Sequence, residues 1–343
     1  MSFNEARVID VIRDVFAPIL AEGARGLKDD GAWLPPCPRG HTRVVSLDAI
    51  QEERDFSTRL APLKTAGFRA IVQNLSDLAA MGAKPVGFVW HLAIPKRWLK
   101  QNARCLKEFC EGALAACLPL PPSGRGIKGE GVPPPLQFYG GDLSLSDDKF
   151  SCAVTIFGDV NGKPLTRQGA RAGDILCISH PVGESALGLQ ILQAAAKKRK
   201  NLGDEAAFEK FLQTLSIEEQ AAVLRHTHPK AELDLGAALV DVATACVDIS
   251  DGLAKDLHHL CGASQVGATL GASFSSKSLT SGEEYALLFT LPNEKALQKL
   301  QKKFGESGIL PIGQITKHVG KIRAKHGNKL RRLAENGYDH FSS

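Results

Sequence analysis

Apolar residues recur at helical spacing through Val8, Ile9, Ile12, Phe16 and Leu20, with charges between them, so Met1 to Leu20 reads as an amphipathic helix. A Gly/Asp turn from Gly26 to Gly31 leads into a strand-like run, Thr42 to Leu47. Ile71, Val72, Leu75, Leu78 and Ala79 keep the helical period and predict a helix over Phe68 to Met81, which Gly82 and Pro85 terminate. Asn74 and Asp77, three residues apart, then share its polar stripe. The segment Leu118 to Leu136 is rich in proline and glycine and reads as a surface loop between a helix and a strand ending at Tyr139. Cys152 to Phe157 is a further strand, and the turn-rich stretch Gly158 to Asp174 is the expected domain boundary.

The second half alternates strands and helices: Ile175 to Ile178, a helix over Glu184 to Ala195, then Thr244 to Ile249 and a helix over Leu253 to Leu260. Alternation of this kind predicts an α/β domain. The lysines 197 to 200 and the acidic amphipathic stretch after them read as a solvated helix end followed by a loop-helix excursion. No internal repeat is present.

Length turns this into a two-domain expectation. At 343 residues and 43% hydrophobic content, the chain divides naturally into residues 1–160 and 161–343. The formal charge of +5 is mild and does not separate a handler of small phosphorylated molecules from a nucleic-acid binder. Eight cysteines without a C-x-x-C pair read as reduced thiols. With no apolar run near the ~20 residues needed to cross a bilayer and no leader-like start, a cytoplasmic protein without a membrane partner is expected.

Candidate chemistry lies in aspartates at expected turns or strand ends: Asp29 and Asp30, Asp48, Asp77, the Gly140-Gly141-Asp142 turn and the Asp248-Ile249-Ser250-Asp251-Gly252 turn. Magnesium takes hard oxygen ligands and commonly joins one or two carboxylates to substrate phosphates. Each cluster also has a plain structural reading, because Asp and Gly form turns, and Ser250 or Asp251 suits the cap of the helix starting near Leu253. No G-x-x-x-x-G-K-[ST] loop occurs, and no G-x-G-x-x-G opens a helix after the first strand. The residues alone thus reach an α/β protein with carboxylate-metal chemistry.

The same residues, in order, resemble the thiamine-monophosphate kinases, a family of the aminoimidazole-ribotide synthetase-like ATP-binding superfamily. The resemblance is carried by Asp29-Asp30, Ser46 to Asp48, Asn74 to Ala83, Gly140 to Asp142, Arg167 to Asp174, Asp248 to Leu253, Gly282 to Phe289 and Gly337 to Phe341. It implies a two-domain α/β (α+β) fold, N-terminal domains paired in a homodimer, and a C-terminal domain completing the site. The implied reaction uses ATP to convert thiamine monophosphate to thiamine diphosphate. Carried over position by position, Asp30, Asp48, Asp77, Asp142 and Asp248 are catalytic and hold magnesium, with Ser46 and Asp251 as further ligands. Gly141, Asp142, Arg167 and Ser250 face the nucleotide, and Asp55, Glu283 and Tyr338 face the acceptor.

Three positions depart from the family pattern: Asp55 stands where histidine is usual, Leu143 where threonine is, and Glu284 where aspartate is. All three point to drift on the acceptor side. Two other readings are a related ATP-dependent enzyme with another acceptor, and a nucleotide- or RNA-binding protein using the basic tail from Lys317 to Arg332. The tail lacks interleaved aromatics for base stacking, so no nucleic-acid partner is expected.

Overall fold

The N-terminal amphipathic pattern folds as α1 (Glu5–Phe16), which buries Val8, Ile12 and Phe16. The computed structural model describes residues 5–27, 31–118, 135–198, 201–271, 274–326 and 329–338. Strand β1 (His41–Gln51) turns Val44 and Ile50 into the core and leaves Val45 and Leu47 outside, the two-residue period of a strand with one covered face. Next come α2 (Leu63–Ala80), β2 (Lys84–Pro95), α3 (Lys100–Cys117), β3 (Gln137–Ser146) and β4 (Ser151–Asn161). The four strands form one sheet in the order β1-β4-β2-β3, antiparallel except for β2 with β3.

Helices α2 and α3 share this sheet's hydrophobic core, with Ala70, Ile71, Leu78, Leu106 and Phe109 meeting Cys152, Val154 and Ile156. α2 begins five residues before the expected Phe68, because Gly67 is not a breaker there. A Cβ on Gly67 would lie 1.9 Å from the Phe109 carbonyl oxygen, and one on Gly112 would lie 1.9 Å from that of Lys64. The paired glycines let the two helix backbones touch.

The second half contains β5 (Ile175–Ile178), α4 (Glu184–Lys197), α5 (Glu205–Leu212), α6 (Ile217–Thr227), α7 (Leu233–Leu239), β6 (Ala245–Asp248), α8 (Leu253–Ser264), β7 (Gly267–Leu270), α9 (Ser276–Thr280), β8 (Leu287–Leu291), α10 (Glu294–Phe304), β9 (Leu310–Thr316), β10 (Ile322–His326) and β11 (Lys329–Arg332). Seven strands form a second, mixed sheet in the order β11-β10-β7-β9-β5-β8-β6. β5, β6 and β8 are continuous apolar runs because the sheet is covered on both faces. Leu253, Leu257 and Leu260 of α8 pack on one face, and Leu235, Leu239, Leu297 and Leu300 from α7 and α10 on the other. That second core also takes in Ala79 and Ala80, so the C-terminal end of α2 is embedded where the two halves meet.

Gly140-Gly141-Asp142 is not a turn but the middle of β3. The stretch after Lys198 becomes α5 and α6, the latter opened by a reciprocal cap between Ser216 and Glu219. The basic tail folds as the exposed hairpin β10-β11. Most of the proline- and glycine-rich segment, 119–134, lies outside the described residues, as does Asp30. No helix among the described residues is long and apolar enough to cross a membrane.

Candidate active site

Ser46 and Asp48, two apart on β1, project from the strand face that meets α2. On α2, Asn74 is fully buried rather than part of a solvated stripe. Its Oδ1 accepts the Asp48 backbone N–H at 3.1 Å, and its Nδ2 donates to the Ala70 carbonyl at 3.0 Å. Asp77 accepts a hydrogen bond from the Ser46 hydroxyl. Ser76 donates to Asp248 Oδ2 at 2.8 Å, tying α2 to the end of β6. Asp48, Asp77, Asp248 and Asp251 thus line one cavity of about 630 Å³, together with Ser46, Arg167 and Ser250.

These carboxylates are held in an unfavourable state. Burial, with Asp77 and Asp251 nearby, pushes Asp48 up to about 7. Burial followed by repulsion from Asp77 raises Asp248 to about 8, against the pull of the Ser76 hydroxyl. Burial also raises Asp77, eased by Ser46 and Arg167. Desolvation and like charge both disfavour the ionised forms, and a hard cation reverses both effects. The donor set therefore suits magnesium. Among the described residues no three His, Cys, Asp or Glu side chains form a ready-made cage.

At the start of α8 neither Ser250 nor Asp251 caps the helix. Asp256, inside the first turn, accepts the Asp251 and Gly252 amides, each at 3.1 Å. Asp251 is left to pair with Lys255 at 2.7 Å. Lys255 also donates to the Tyr338 carbonyl at 2.6 Å, and the Tyr338 N–H donates to the Asp251 carbonyl at 2.9 Å. The C-terminal segment is thereby drawn over the site.

A second cavity, of about 1490 Å³, adjoins the first and shares Asp55, Ser250, Glu283 and Tyr338 with it. Arg54, Arg59, Arg69, Lys197, His226 and apolar residues of α4 are among those that line the rest. Asp55 Oδ2 accepts the Gln51 amide at 2.7 Å, so the carboxylate at the family's histidine position closes its own turn. The Glu283 N–H donates to the Ser250 carbonyl at 2.7 Å. Glu283's carboxylate pairs with Arg69 and lies 3.5 Å from His226 Nδ1. Burial, reinforced by Arg69, holds His226 well below its ordinary value. Glu284 faces away from both cavities. Its Oε1 accepts the Gly183 and Ser185 amides at 2.8 and 3.1 Å and the Ser281 hydroxyl, fixing the N-terminus of α4.

Asp142 is not brought to this group within the chain. It sits exposed on β3, 3.9 Å from His91 Nε2, and β3 and β1 are opposite edges of the sheet, roughly 14 Å apart at the usual strand spacing. The missing side chain of Gly141 is accounted for by Trp90, whose carbonyl oxygen would lie 1.9 Å from a Cβ. Leu143 is half-buried against the core.

Comparison with known proteins fits this architecture. The profile of the AIR synthase related protein N-terminal domain matches residues 28–160, and that of the C-terminal domain matches residues 171–325. The thiamine-monophosphate kinase of Synechococcus elongatus is 32% identical over 344 aligned residues, covering 92% of this chain and 91% of that protein. The chain belongs to the thiamine-monophosphate kinase family. The crystal structure of thiamine-monophosphate kinase from Stenotrophomonas maltophilia is 27% identical, with a TM-score of 0.70 over 94% of this chain and 97% of that one. The structure of AaThiL complexed with AMPPCP and TMP, 23% identical, shares the fold at a TM-score of 0.66 over 99% of each chain.

Three residues that build the site lie outside the family blocks, and a fourth, Ser76, lies within one but is not singled out there. Arg69 and Ser76 lie on the same buried stripe of α2 as Thr65 and Val72, and an arginine in such a stripe is the signal that marks a paired charge. His226 and Asp256 had no comparable signal. One is brought in by a distant helix, and the other looks like any acidic first-turn residue.

Proposed function

We propose that this chain transfers the γ-phosphoryl group of ATP directly to the phosphate of thiamine monophosphate, forming thiamine diphosphate and ADP at the seam between the two cavities. The observation that carries the reading is the pairing of compartments: a carboxylate-lined one and a larger one meet at Asp55, Ser250, Glu283 and Tyr338. Membership of the kinase family supplies the identity of the two substrates.

In this reading Asp48, Asp77, Asp248 and Asp251 hold magnesium with Ser46, assisted by Asp30 and Asp142. Bound magnesium neutralises charge on the phosphate oxygens. Arg167 and Ser250 meet the nucleotide phosphates, where a guanidinium fork suits paired oxygens. Glu283 and Tyr338 border the thiamine end, and Asp55 stands at the acceptor side of the seam. The acceptor is a phosphate oxygen already ionised at neutral pH, so alignment and charge neutralisation matter more than a strong base. Residues 1–160 contribute Ser46, Asp48 and Asp77, and residues 161–343 contribute Asp248 and Asp251, so neither part is sufficient alone. A homodimer through the outer face of the four-stranded sheet completes the assembly; support comes from Val45 and Leu47, which are more than half exposed there.

The test is incubation with magnesium, ATP and thiamine monophosphate, with both products quantified by mass. Equimolar ADP and thiamine diphosphate are expected. ATP consumption with no diphosphate would sink the assignment of the acceptor.

A further inference from the structure

Four residues border both cavities, and two of them are held from beneath by a single side chain. Arg69, near the middle of α2, is buried, with its side chain 5% exposed. One terminal nitrogen, Nη1, donates to the Asp55 carbonyl at 3.1 Å, and the other, Nη2, donates to the Glu283 carboxylate. Its Nε is buried and has no hydrogen-bond partner among the described residues. The guanidinium therefore acts through its two terminal nitrogens, each directed at a different turn.

Both turns are backbone-strained. Glu53 has φ 64° in the turn that Asp55 closes, and Glu283 and Tyr285 have φ 56° and 52°. Non-glycine residues in the left-handed region persist only where their surroundings over-determine them. Backbone bonds hold part of this geometry: Glu53 N–H to Phe56 carbonyl at 2.6 Å, and Tyr285 N–H to Ile249 carbonyl at 2.9 Å. None of these bonds joins one turn to the other. Among the hydrogen bonds described above, Arg69 alone does so, and its bond to Glu283 spans 214 positions of sequence.

We propose that Arg69 is a positioning residue that sets the separation of the Asp55 and Glu283 turns, and so the width of the seam through which phosphoryl transfer takes place. Its site of action rests on the proposed kinase reading; the clamp itself does not. His226 and Ser185 steady the far side of Glu283 and its neighbourhood, with Ser185 Oγ 3.1 Å from His226 Nδ1. Arg69 is what relates that side to α2, the helix that also carries Asp77. A charge-assisted hydrogen bond from a planar fork is directional as well as strong, which suits a part whose task is registration. Loosening it leaves the carboxylate cavity intact and misaligns donor and acceptor, a loss that appears in turnover more than in nucleotide affinity.

The experiment compares the wild-type protein with Arg69→Met and Arg69→Lys by amide hydrogen exchange and steady-state kinetics. In Arg69→Met, exchange at 53–56 and 283–285 is expected to quicken at least about tenfold while β6 and β8 keep their protection. The turnover number should fall at least about tenfold with the ATP KM unchanged. Arg69→Lys, which keeps the charge but offers one ammonium in place of the two-pronged fork, should recover only part of each. Unchanged exchange at the two turns, a rise in KM with full turnover, or a lysine variant equal to the wild type at both turns would each overturn the proposal. If Arg69→Met does not fold, Glu283→Gln is read in the same way: faster exchange at 283–285 supports the clamp, and unchanged exchange rejects it. A wild-type protein that makes no thiamine diphosphate refutes the kinase reading, while the exchange data still decide the role of Arg69.

Discussion

At the scale of single residues, the site is defined by carboxylates that the fold holds against their preference. Asp248 is raised to about 8, and Asp48 to about 7, by burial and by each other's neighbours. A group whose folded pKa exceeds its unfolded value favours the folded state below the unfolded pKa, and that contribution is lost as pH rises through the folded one. The metal-free protein should therefore lose stability between about pH 4 and pH 8 from these groups. In the proposed site magnesium takes the ionised forms, so it should raise Tm more at pH 8.5 than at pH 5.5, as thermal melts with and without the ion will show. An equal rise at both pH values would remove these carboxylates from the metal site. Asp248→Asn follows the same logic. It deletes the charge but keeps an oxygen for the Ser76 hydroxyl, so the metal-free variant should be more stable at pH 8, on the order of a few kcal/mol. Turnover should drop at least about 100-fold, the scale seen when a preorganised electrostatic contact is removed. Stability gained together with activity lost marks a site built for its ligand.

At the scale of elements, what was legible in the sequence depended on whether a pattern is local. β5 falls on its expected residues, and β6 and α8 lie close to theirs, because apolar runs and turn residues mark them without outside help. Gly140-Gly141-Asp142 misled because two glycines usually punctuate. Here Gly141 lets β3 lie against Trp90 of β2, beside a bulge between Phe88 and Trp90, and Gly140 takes a φ of 107°. The cap of α8 was misassigned for a related reason. Asp256 reaches back to the amides that Ser250 or Asp251 were expected to satisfy, and nothing in spacing alone decides between them. The convergence of β1, α2 and β6 joins Asp48 to Asp248 across two hundred positions, and only the resemblance foretold it. Glu284 shows the same dependence on distant partners. Read as drift on the acceptor side, it instead supplies the hydrogen-bond acceptor for the Gly183 and Ser185 amides at the start of α4. Glu284→Ala leaves the Gly183 and Ser185 amides without that partner and should cost about 2 kcal/mol, measurable by urea unfolding. Glu284→Gln, which retains an amide acceptor, should cost less. A neutral alanine variant would mean that α4 is anchored by its apolar face alone.

At the scale of the whole molecule, α2 and α3 cover one face of the four-stranded sheet, and the other face is partly covered toward β3, where Ala21, Ala24, Leu27 and Leu34 pack against Tyr139 and Val89. The other face carries Val45 and Leu47 of β1 and, by register, Phe157 and Thr155 of β4, Val89 of β2 and Asp142 of β3. Strand spacing and rise give that whole face roughly 600 Å² per copy; the part toward β3 is already covered by the chain itself, so the open part falls below the ~800 Å² per partner of standard interfaces. An isologous dimer built on it buries each substituted position twice. A Leu47→Arg variant would place two like charges in one desolvated patch, and no rearrangement within the sheet can move them to its covered face without a register slip. Light scattering at micromolar concentration should give twice the chain mass for the wild-type protein and the chain mass for the variant. The variant's turnover then bears on Asp142, which lies on this face and apart from the acidic cavity. Loss of activity with an unaltered fold would mean that the site needs the paired assembly, and full activity in a monomer would strike Asp142 from the set of magnesium ligands. A wild-type chain that stays monomeric at these concentrations would instead leave the sheet face without a second copy and remove the dimer from the proposed function.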